Sequence, residues 1–202
     1  LLLEGFYTRL NHVFVLEEIG KDEEHNAVIK ERRNGQGAEV AGVTVEGKVA
    51  YLSLVQLQAG VTWQKSHYTR PEKWSKDSSV PAEKRIFRTP DWYGYFTATY
   101  SPVKPLNIAL SGTYTGSMIV QHMKGYIPKD IAVTTPDFFD MNLKISYDFS
   151  LYKFITLQLN AGIQNIFNAY QRDFDQGKER DSGYIYGPSM PRSYFAGAKL
   201  MF

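Results

Sequence analysis

The chain of 202 residues contains only four histidines, His12, His25, His67 and His122. His67 and His122 stand where strand-like pattern gives way to polar sequence. Two imidazoles at the starts of two loops could jointly touch a metal complex, and each also reads as an ordinary solvated loop residue. His122-Met123 invites a haem-ligand reading, but adjacency is not ligation geometry and methionine commonly fills gaps. Arg70, Trp74 and Arg85 supply the charge and aromatic surface that suit an anionic ligand. Tyr126 in the next loop, and Arg172, Arg180, Tyr184 and Tyr186 in the last, complete the set of candidate ligand-binding side chains. Asp173, Asp175, Glu179 and Asp181 are interleaved with Arg172, Lys178 and Arg180, the pattern of a salt-bridged, solvated loop. Phe174-Asp175-Gln176-Gly177 lacks the spaced oxygen ligands and closing glutamate of a calcium loop. Tyr184-Ile185-Tyr186-Gly187-Pro188 is an aromatic turn that packs within its loop, lies in an interfacial girdle, or stacks on a ligand. No nucleophile–base–acid set or phosphate loop is present, so no enzyme activity, cofactor or resident metal is expected. The absence of cysteine removes thiolate metal sites, and a net charge of +2 without a basic run gives no basis for nucleic-acid binding.

These side chains have to be positioned by strands. Apolar and polar residues alternate with the period of two that marks a strand facing two different media. Val43, Val45, Val49 and Tyr51 oppose Thr44, Glu46 and Lys48; Val55, Leu57, Ala59, Val61 and Trp63 oppose Gln56, Gln58, Gly60, Thr62 and Gln64. The same holds for residues 92–100, 106–118, 139–149, 155–163 and 194–202. Residues 1–19 read as one extended stretch whose two halves change phase, which a bulge would reconcile. Residues 20–26 read as a turn, 27–33 as a short strand, and Asn34-Gly35-Gln36-Gly37 as a hairpin turn. Tight turns are expected near Leu52, at 101–105 and at 151–154, and long loops at 67–87, 122–137 and 169–191.

About nine antiparallel strands result, near the 9 to 11 residues that a tilted membrane-spanning strand needs. Short turns at one end and long loops at the other are the construction of outer-membrane barrels. The 14% aromatic content suits interfacial girdles. Glu46, Asp140 and Asp148 would then face a wet lumen, as partners of Lys48, Lys144 and Arg192. The chain opens directly on strand-like sequence with no leader, so a fragment of a longer exported protein is expected.

The stretch from Ala161 onward contains Gln164-Asn165-Ile166-Phe167-Asn168, a loop ending in Tyr186-Gly187-Pro188, then Pro191-Arg192-Ser193-Tyr194-Phe195 and a final strand. With Gly60-Val61-Thr62-Trp63-Gln64, Arg88-Thr89-Pro90 and Gly112-Thr113-Tyr114-Thr115-Gly116, it resembles the end of TonB-dependent outer-membrane receptors of Bacteroides-type bacteria. The resemblance covers the whole chain. It implies an all-β, antiparallel up-and-down transmembrane β-barrel in which residues 1–202 are roughly the last nine strands of a barrel of about 22, with the N-terminal plug domain absent. It also implies an outer-membrane location and active uptake of a ferric siderophore or similar iron complex. Cobalamin, haem or glycan import are alternatives within the family. The implied partners are the TonB complex through the plug, outer-membrane lipid, the imported ligand, and a barrel-assembly machinery that reads the closing strand at Tyr194, Leu200 and Phe202. A passive porin, an autotransporter barrel and a soluble β-sandwich binding module are the remaining alternatives.

Overall fold

A computed structural model describes residues 1–25, 27–188 and 190–202, with Glu17 and Glu18 as backbone only. Among these residues the regular structure is entirely β. In chain order the strands are β1 (Leu2–Leu10), β2 (Phe14–Asp22), β3 (Ala27–Asn34), β4 (Ala38–Tyr51), β5 (Val55–Glu72), β6 (Glu83–Arg85), β7 (Trp92–Val103), β8 (Leu106–Thr115), β9 (Ile119–His122), β10 (Ile131–Thr134), β11 (Phe138–Tyr152), β12 (Ile155–Gln164) and β13 (Ser193–Met201). Nine form one sheet in the order β1-β4-β5-β7-β8-β11-β12-β13, with β6 added on β5. Every pairing in it is antiparallel. Sequence neighbours therefore lie side by side once the loop strands are set apart, and the sheet runs up and down as expected.

The sheet is inside out by the standards of a water-soluble protein. Ile145 is 43% exposed while the adjacent Ser146 is 9% exposed. Val43, Val61, Leu159 and Leu200 are likewise open, whereas Thr62 and Gln64 are buried. Such a continuous apolar face is far larger than the patches monomeric soluble proteins leave in water. A polar inner face beneath an apolar outer one is the pattern of a membrane barrel wall. Inner polar groups bond to one another across strands: the Thr44 and Thr62 hydroxyls are 2.9 Å apart, and Gln58 donates to Glu46 Oε1 at 2.8 Å and to the Tyr95 hydroxyl at 3.1 Å. Gln158 donates to Asp148 Oδ1 at 2.8 Å. Glu46 and Asp148 are thus served by glutamines and not by Lys48 and Lys144, a correction to the ion pairs expected from charge alternation. A glutamine one strand away lies directly opposite or diagonal, whereas the lysines sit two positions from the acids or four along the same strand.

Rings lie over directly facing glycines. Phe6 opposes Gly42, Tyr95 opposes Gly60, Phe96 opposes Gly112, and Phe195 opposes Gly162. A Cβ at Gly60 would come within 2.8 Å of the Tyr95 ring. The missing side chain makes the space that an aromatic on the next strand fills.

The turns joining β4 to β5, β7 to β8 and β11 to β12 lie at one end, together with the start of β1 and the end of β13. All the long connections lie at the other. They number four: 11–37, 73–91, 116–137 and 165–192. The first was not anticipated, because residues 1–19 are two strands in different sheets. β1 pairs with β4, while β2 pairs with β3 as a separate ribbon, with its irregularity between Glu18 and Gly20. Residues 27–33 belong to that ribbon and not to the wall. Asn34-Gly35-Gln36-Gly37 is therefore no hairpin turn but the return from ribbon to wall. A Cβ at Gly37 would come within 2.7 Å of the Leu10 carbonyl oxygen, so glycine there permits close chain approach. The expected turn at 20–26 is shorter, since β2 runs to Asp22; its last residue, Asn26, lies outside the described residues. β5 continues to Glu72 where a loop from 67 was expected, and β7 continues through Pro102 to Val103. β9 and β10 form a small hairpin inside the third loop.

Candidate functional site

The long loops meet above the wall and are held by specific polar contacts. Ile119 and Val120, 3% and 0% exposed, give the third loop a small core of its own. Beside it, His122 is buried. Its ring stacks on Tyr184 of the fourth loop at 3.6 Å between centroids and 7° between planes. Its Nε2 lies 3.0 Å from both carboxylate oxygens of Asp175, and the two side chains are 8% and 2% exposed. Asp175 also accepts the Asp181 N–H at 2.9 Å. Asp181 in turn accepts the Met123 N–H at 2.8 Å, which returns the network to the third loop. The second loop joins through Ser75, donating to Asp130 Oδ2 at 2.6 Å, and through Arg88, whose guanidinium donates to the carbonyls of Ile185 (2.6 Å) and Gly183.

The fourth loop is closed at its base by the two asparagines of Asn165-Ile166-Phe167-Asn168. Both adopt positive φ, 50° and 54°, a region asparagine tolerates better than most residues. Asn165, 4% exposed, donates to the carbonyls of Ala169 and Met190 at 3.0 Å and accepts the Ala169 N–H at 2.8 Å. Asn168 accepts the Arg192 N–H at 2.9 Å. The motif thus ties the start of the loop to its end. Phe167 stacks outward on Phe139 at 5.7 Å.

Within the loop, the Tyr184 and Tyr186 hydroxyls donate to the two oxygens of Asp173 at 2.8 Å and 2.5 Å. Burial works to raise the Asp173 carboxyl, but the phenol hydrogen bonds from Tyr186 and Tyr184 outweigh it and hold it below the usual carboxylate range. Burial and the same carboxylate push Tyr186 up to about 12 and Tyr184 higher still. Gln171, 1% exposed, donates to the Tyr184 carbonyl at 3.0 Å and accepts the Tyr186 N–H at 2.9 Å.

Three candidates, His122, Tyr184 and Tyr186, are therefore brought together, as an internal brace. His122 is not solvated, and Asp173, Asp175 and Asp181 accept from phenols, imidazole and backbone amides where ion pairs with Arg172, Lys178 and Arg180 were expected. At Asp175, whose side chain is 2% exposed, burial gives the reason: the Asp181 amide donor brings no second charge to desolvate. The remaining candidates are scattered. His67 lies in β5, paired with Glu39 at 3.7 Å and opposite Arg85, on the outward face of the sheet. It makes no contact with His122. Arg70 is exposed in β5, and Arg85 reaches Glu83 at 3.5 Å. Trp74 braces the second loop, donating to the Pro81 carbonyl at 3.1 Å and meeting Phe87 edge-on at 5.3 Å. Tyr126 is exposed, Arg172 lies 5.3 Å over the Tyr170 ring, and Arg180 donates to the Gly177 carbonyl at 3.1 Å. Tyr194, Leu200 and Phe202 stand exposed on and at the end of β13.

A hollow of about 360 Å³ opens between the top of β11 and the fourth loop, lined in part by Phe138, Asn168, Tyr170, Arg172, Asp173 and Tyr186. It combines aromatic faces with the Arg172 cation and the carboxylates of Asp137 and Asp173. Arg172 and Tyr186 are the candidates that reach it. Asp173 and Gln171, which set its shape, carry no sequence signal beyond their place in a polar loop. No group of three side chains able to hold a metal ion occurs among the described residues.

An inside-out antiparallel sheet with short turns at one end and interlocked loops at the other defines a segment of a membrane-spanning β-barrel. More particularly, this is the fold of the C-terminal barrel portion of a TonB-dependent outer-membrane receptor. The ferric-catecholate import receptor Fiu of Escherichia coli K12 superposes with a TM-score of 0.58 at 20% identity, over 98% of this chain and 25% of that one. The ferripyoverdine receptor of Pseudomonas aeruginosa gives 0.61 at 15% identity, over 98% and 24%. The ferric enterobactin receptor PfeA of the same organism gives 0.59 at 17% identity, over 98% and 28%. The chain spans about a quarter of the length of these receptors. No family model and no curated protein matches the sequence.

Proposed function

We propose that this chain is the closing part of the barrel of an outer-membrane, TonB-dependent importer of a ferric siderophore or similar iron complex. The wall would separate lipid from a wet lumen, and the interlocked loops would present the hollow beside Arg172 and Tyr186 to the cell exterior. The observation that carries the reading is the inside-out sheet, topped at one end by polar-braced loops, in the fold of three ferric-complex receptors. Energy would come from TonB acting on a plug domain in the intact protein, and the exposed closing strand at Tyr194, Leu200 and Phe202 would be what the assembly machinery reads. The chain itself would perform no catalysis. The test is uptake by cells lacking the gene, grown under iron limitation and supplied with ferric catecholates, ferric hydroxamates, haem or cobalamin in turn. Loss of uptake of one ferric siderophore, restored by the full-length gene only where TonB is present, is the expected result. Loss confined to haem or cobalamin would keep the importer and replace the cargo. Energy-independent passage of small solutes would refute active import.

A further inference from the structure

The outward face of the wall changes character at one level. On β5 the span from Val55 to Trp63 matches the ~9–11 residues with which a tilted strand crosses a bilayer. Trp63 meets Trp92 of β7 on the outer surface, with ring centroids 6.3 Å apart. Tryptophan gathers at the membrane–water interface, so this pair marks the upper limit of the hydrocarbon. Below it, the outward positions of β4, β5, β7, β8, β11 and β12 carry no charged side chain.

Above it, one sector of the outward face is charged. Lys65 is the next outward residue after Trp63, about 7 Å further along the strand at ~3.3 Å per residue. The headgroup layer is about 5–8 Å thick, so the Lys65 ammonium lies within it. His67 follows, with Glu39 of β4 opposite it on one side and Arg85 of β6 on the other. Asp91, beside Trp92, accepts from Lys65. Glu39 lies 3.7 Å from His67 and 3.5 Å from Arg9, and Arg85 lies 3.5 Å from Glu83. The sector sits inside the sheet, with β4 on one side of β5 and β6 and β7 on the other, so its exposure does not depend on either edge strand.

The Lys65 and Arg85 side chains are 62% and 60% exposed. Ion pairs so open to solvent contribute only about 0–1 kcal/mol. They array the charges without consuming them, since ammonium and guanidinium groups each keep further donors and a carboxylate keeps further acceptor sites. Every cation here has a carboxylate beside it. A purely anionic headgroup would meet Glu39, Asp91 and Glu83 together with the cations, and like charges brought together count against such a partner. A headgroup with a phosphate and an ammonium a few atoms apart meets a complement for each. A choline headgroup carries the same charges but has no N–H to donate to the carboxylates.

We propose that this sector docks the phosphoethanolamine headgroup of an outer-leaflet lipid, with Lys65 and Arg85 donating to its phosphate and Asp91 and Glu39 accepting from its ammonium. Trp63 and Trp92 provide the apolar surface beneath, against which the upper part of the acyl chains lies. Charge-assisted bonds to the phosphate supply the hold, and the two carboxylates supply the choice of headgroup.

The test uses the full-length receptor, delipidated in detergent and offered phosphatidylethanolamine, phosphatidylglycerol and phosphatidylcholine of identical acyl chains in competition. Bound lipid is read by native mass spectrometry. The parent protein is expected to retain phosphatidylethanolamine over both competitors. Lys65→Gln with Arg85→Gln should lower that retention about tenfold, the worth of one hydrogen bond to a charged group. Glu39→Gln with Asp91→Asn should remove the preference over phosphatidylglycerol while lipid is still bound. Lys144→Gln, on the inner face, should change neither. Equal retention of the three lipids by the parent, a preference for phosphatidylglycerol, or selectivity that survives both double variants would overturn the site. Retention of soluble phosphoethanolamine in place of the lipid would also overturn it. Should a double variant fail to assemble, Lys65→Gln and Asp91→Asn alone read the same two changes at smaller size. The measurement involves neither an imported ligand nor TonB, so its failure is distinct from failure of the importer reading.

Discussion

Replacing His122 by alanine should open the interface between the third and fourth loops while leaving the wall intact. The magnitude follows from what the imidazole does. It makes a hydrogen bond to a carboxylate inside a nearly water-free contact, the side chains being 8% and 2% exposed. Hydrogen bonds to charged groups contribute about 1.5–3 kcal/mol. The ring also stacks on Tyr184 at 3.6 Å, and aromatic contacts add about 0.5–1.5 kcal/mol beyond area burial. Together these weaken the interface by about 2–4 kcal/mol, with no discount for solvent screening because both groups are buried. The loss is local, since neither residue belongs to the wall. Native-state hydrogen exchange in the full-length receptor reads it at the Met123 and Asp181 amides, which donate to Asp181 and Asp175 respectively. At about 3 kcal/mol they should exchange roughly a hundredfold faster, since each ~1.4 kcal/mol is a factor of ten. Amides of β11 and β12 should not change. Acceleration under tenfold at Met123 and Asp181, or equal acceleration across the wall, would show that the imidazole does not brace the loops.

Gly60→Val places a side chain where the Tyr95 ring lies, 2.8 Å from the built Cβ. It should destabilise the barrel by about 1–3 kcal/mol as overpacking does, seen as a lower urea midpoint, while Tyr95→Ala in the same chain should recover part of the loss. Ile145→Arg puts a charge on the outward face in the middle of β11 and should cost about 2–4 kcal/mol in bilayer refolding. Thr97→Arg, on the inner face, should be tolerated, and equal costs at the two positions would undo the assignment of faces. The phenols of Tyr184 and Tyr186 are raised in the folded loop, so their contribution is complete below the ordinary tyrosine value near 10. It is lost as pH rises through the folded values, the first at about 12. Absorbance titration should therefore show one fewer late-forming phenolate in Tyr186→Phe than in the parent protein. The Asp173 carboxyl is lowered, so its contribution is present above the ordinary aspartate value near 4. It should fade only in stronger acid, and loop protection factors, the exchange rates corrected for the intrinsic pH dependence of amide exchange, are expected to stay flat from neutrality to about pH 5.

The fold was legible because barrel strands meet two different media along their whole length. The alternation at Val55 to Gln64 or Phe139 to Phe149 gives the face of each residue directly, and the turn and loop lengths give the end at which each loop lies. The closing strand was readable for the same reason. Pattern failed where a segment has no second medium. Residues 1–19 are half wall and half a separate ribbon, and apolar residues such as Phe14 and Ile19 look the same in either. Asn34-Gly35-Gln36-Gly37 has the composition of a hairpin turn because glycine serves both positive φ and close approach, and composition cannot tell the two apart.

The loops were the least legible part. His122, Tyr184, Asp173 and Asp175 were each visible as chemistry, yet their distances along the chain carry no information about which meets which. His67 and His122 read as equivalent loop histidines, and one faces outward on β5 while the other is locked between two loops. The sequence by itself determined the period-two wall, its two faces and its two ends, since those follow from local alternation and strand length. The tertiary structure decided which loop side chains share a buried contact, which carboxylate is served by a phenol or an amide, and which loop forms a ribbon apart from the wall sheet. Those outcomes depend on contacts between residues from about 10 to nearly 100 apart in the chain, as with Asp173 and Tyr184 within one loop or Arg88 and Ile185 between two, and no local alternation in the sequence specifies them.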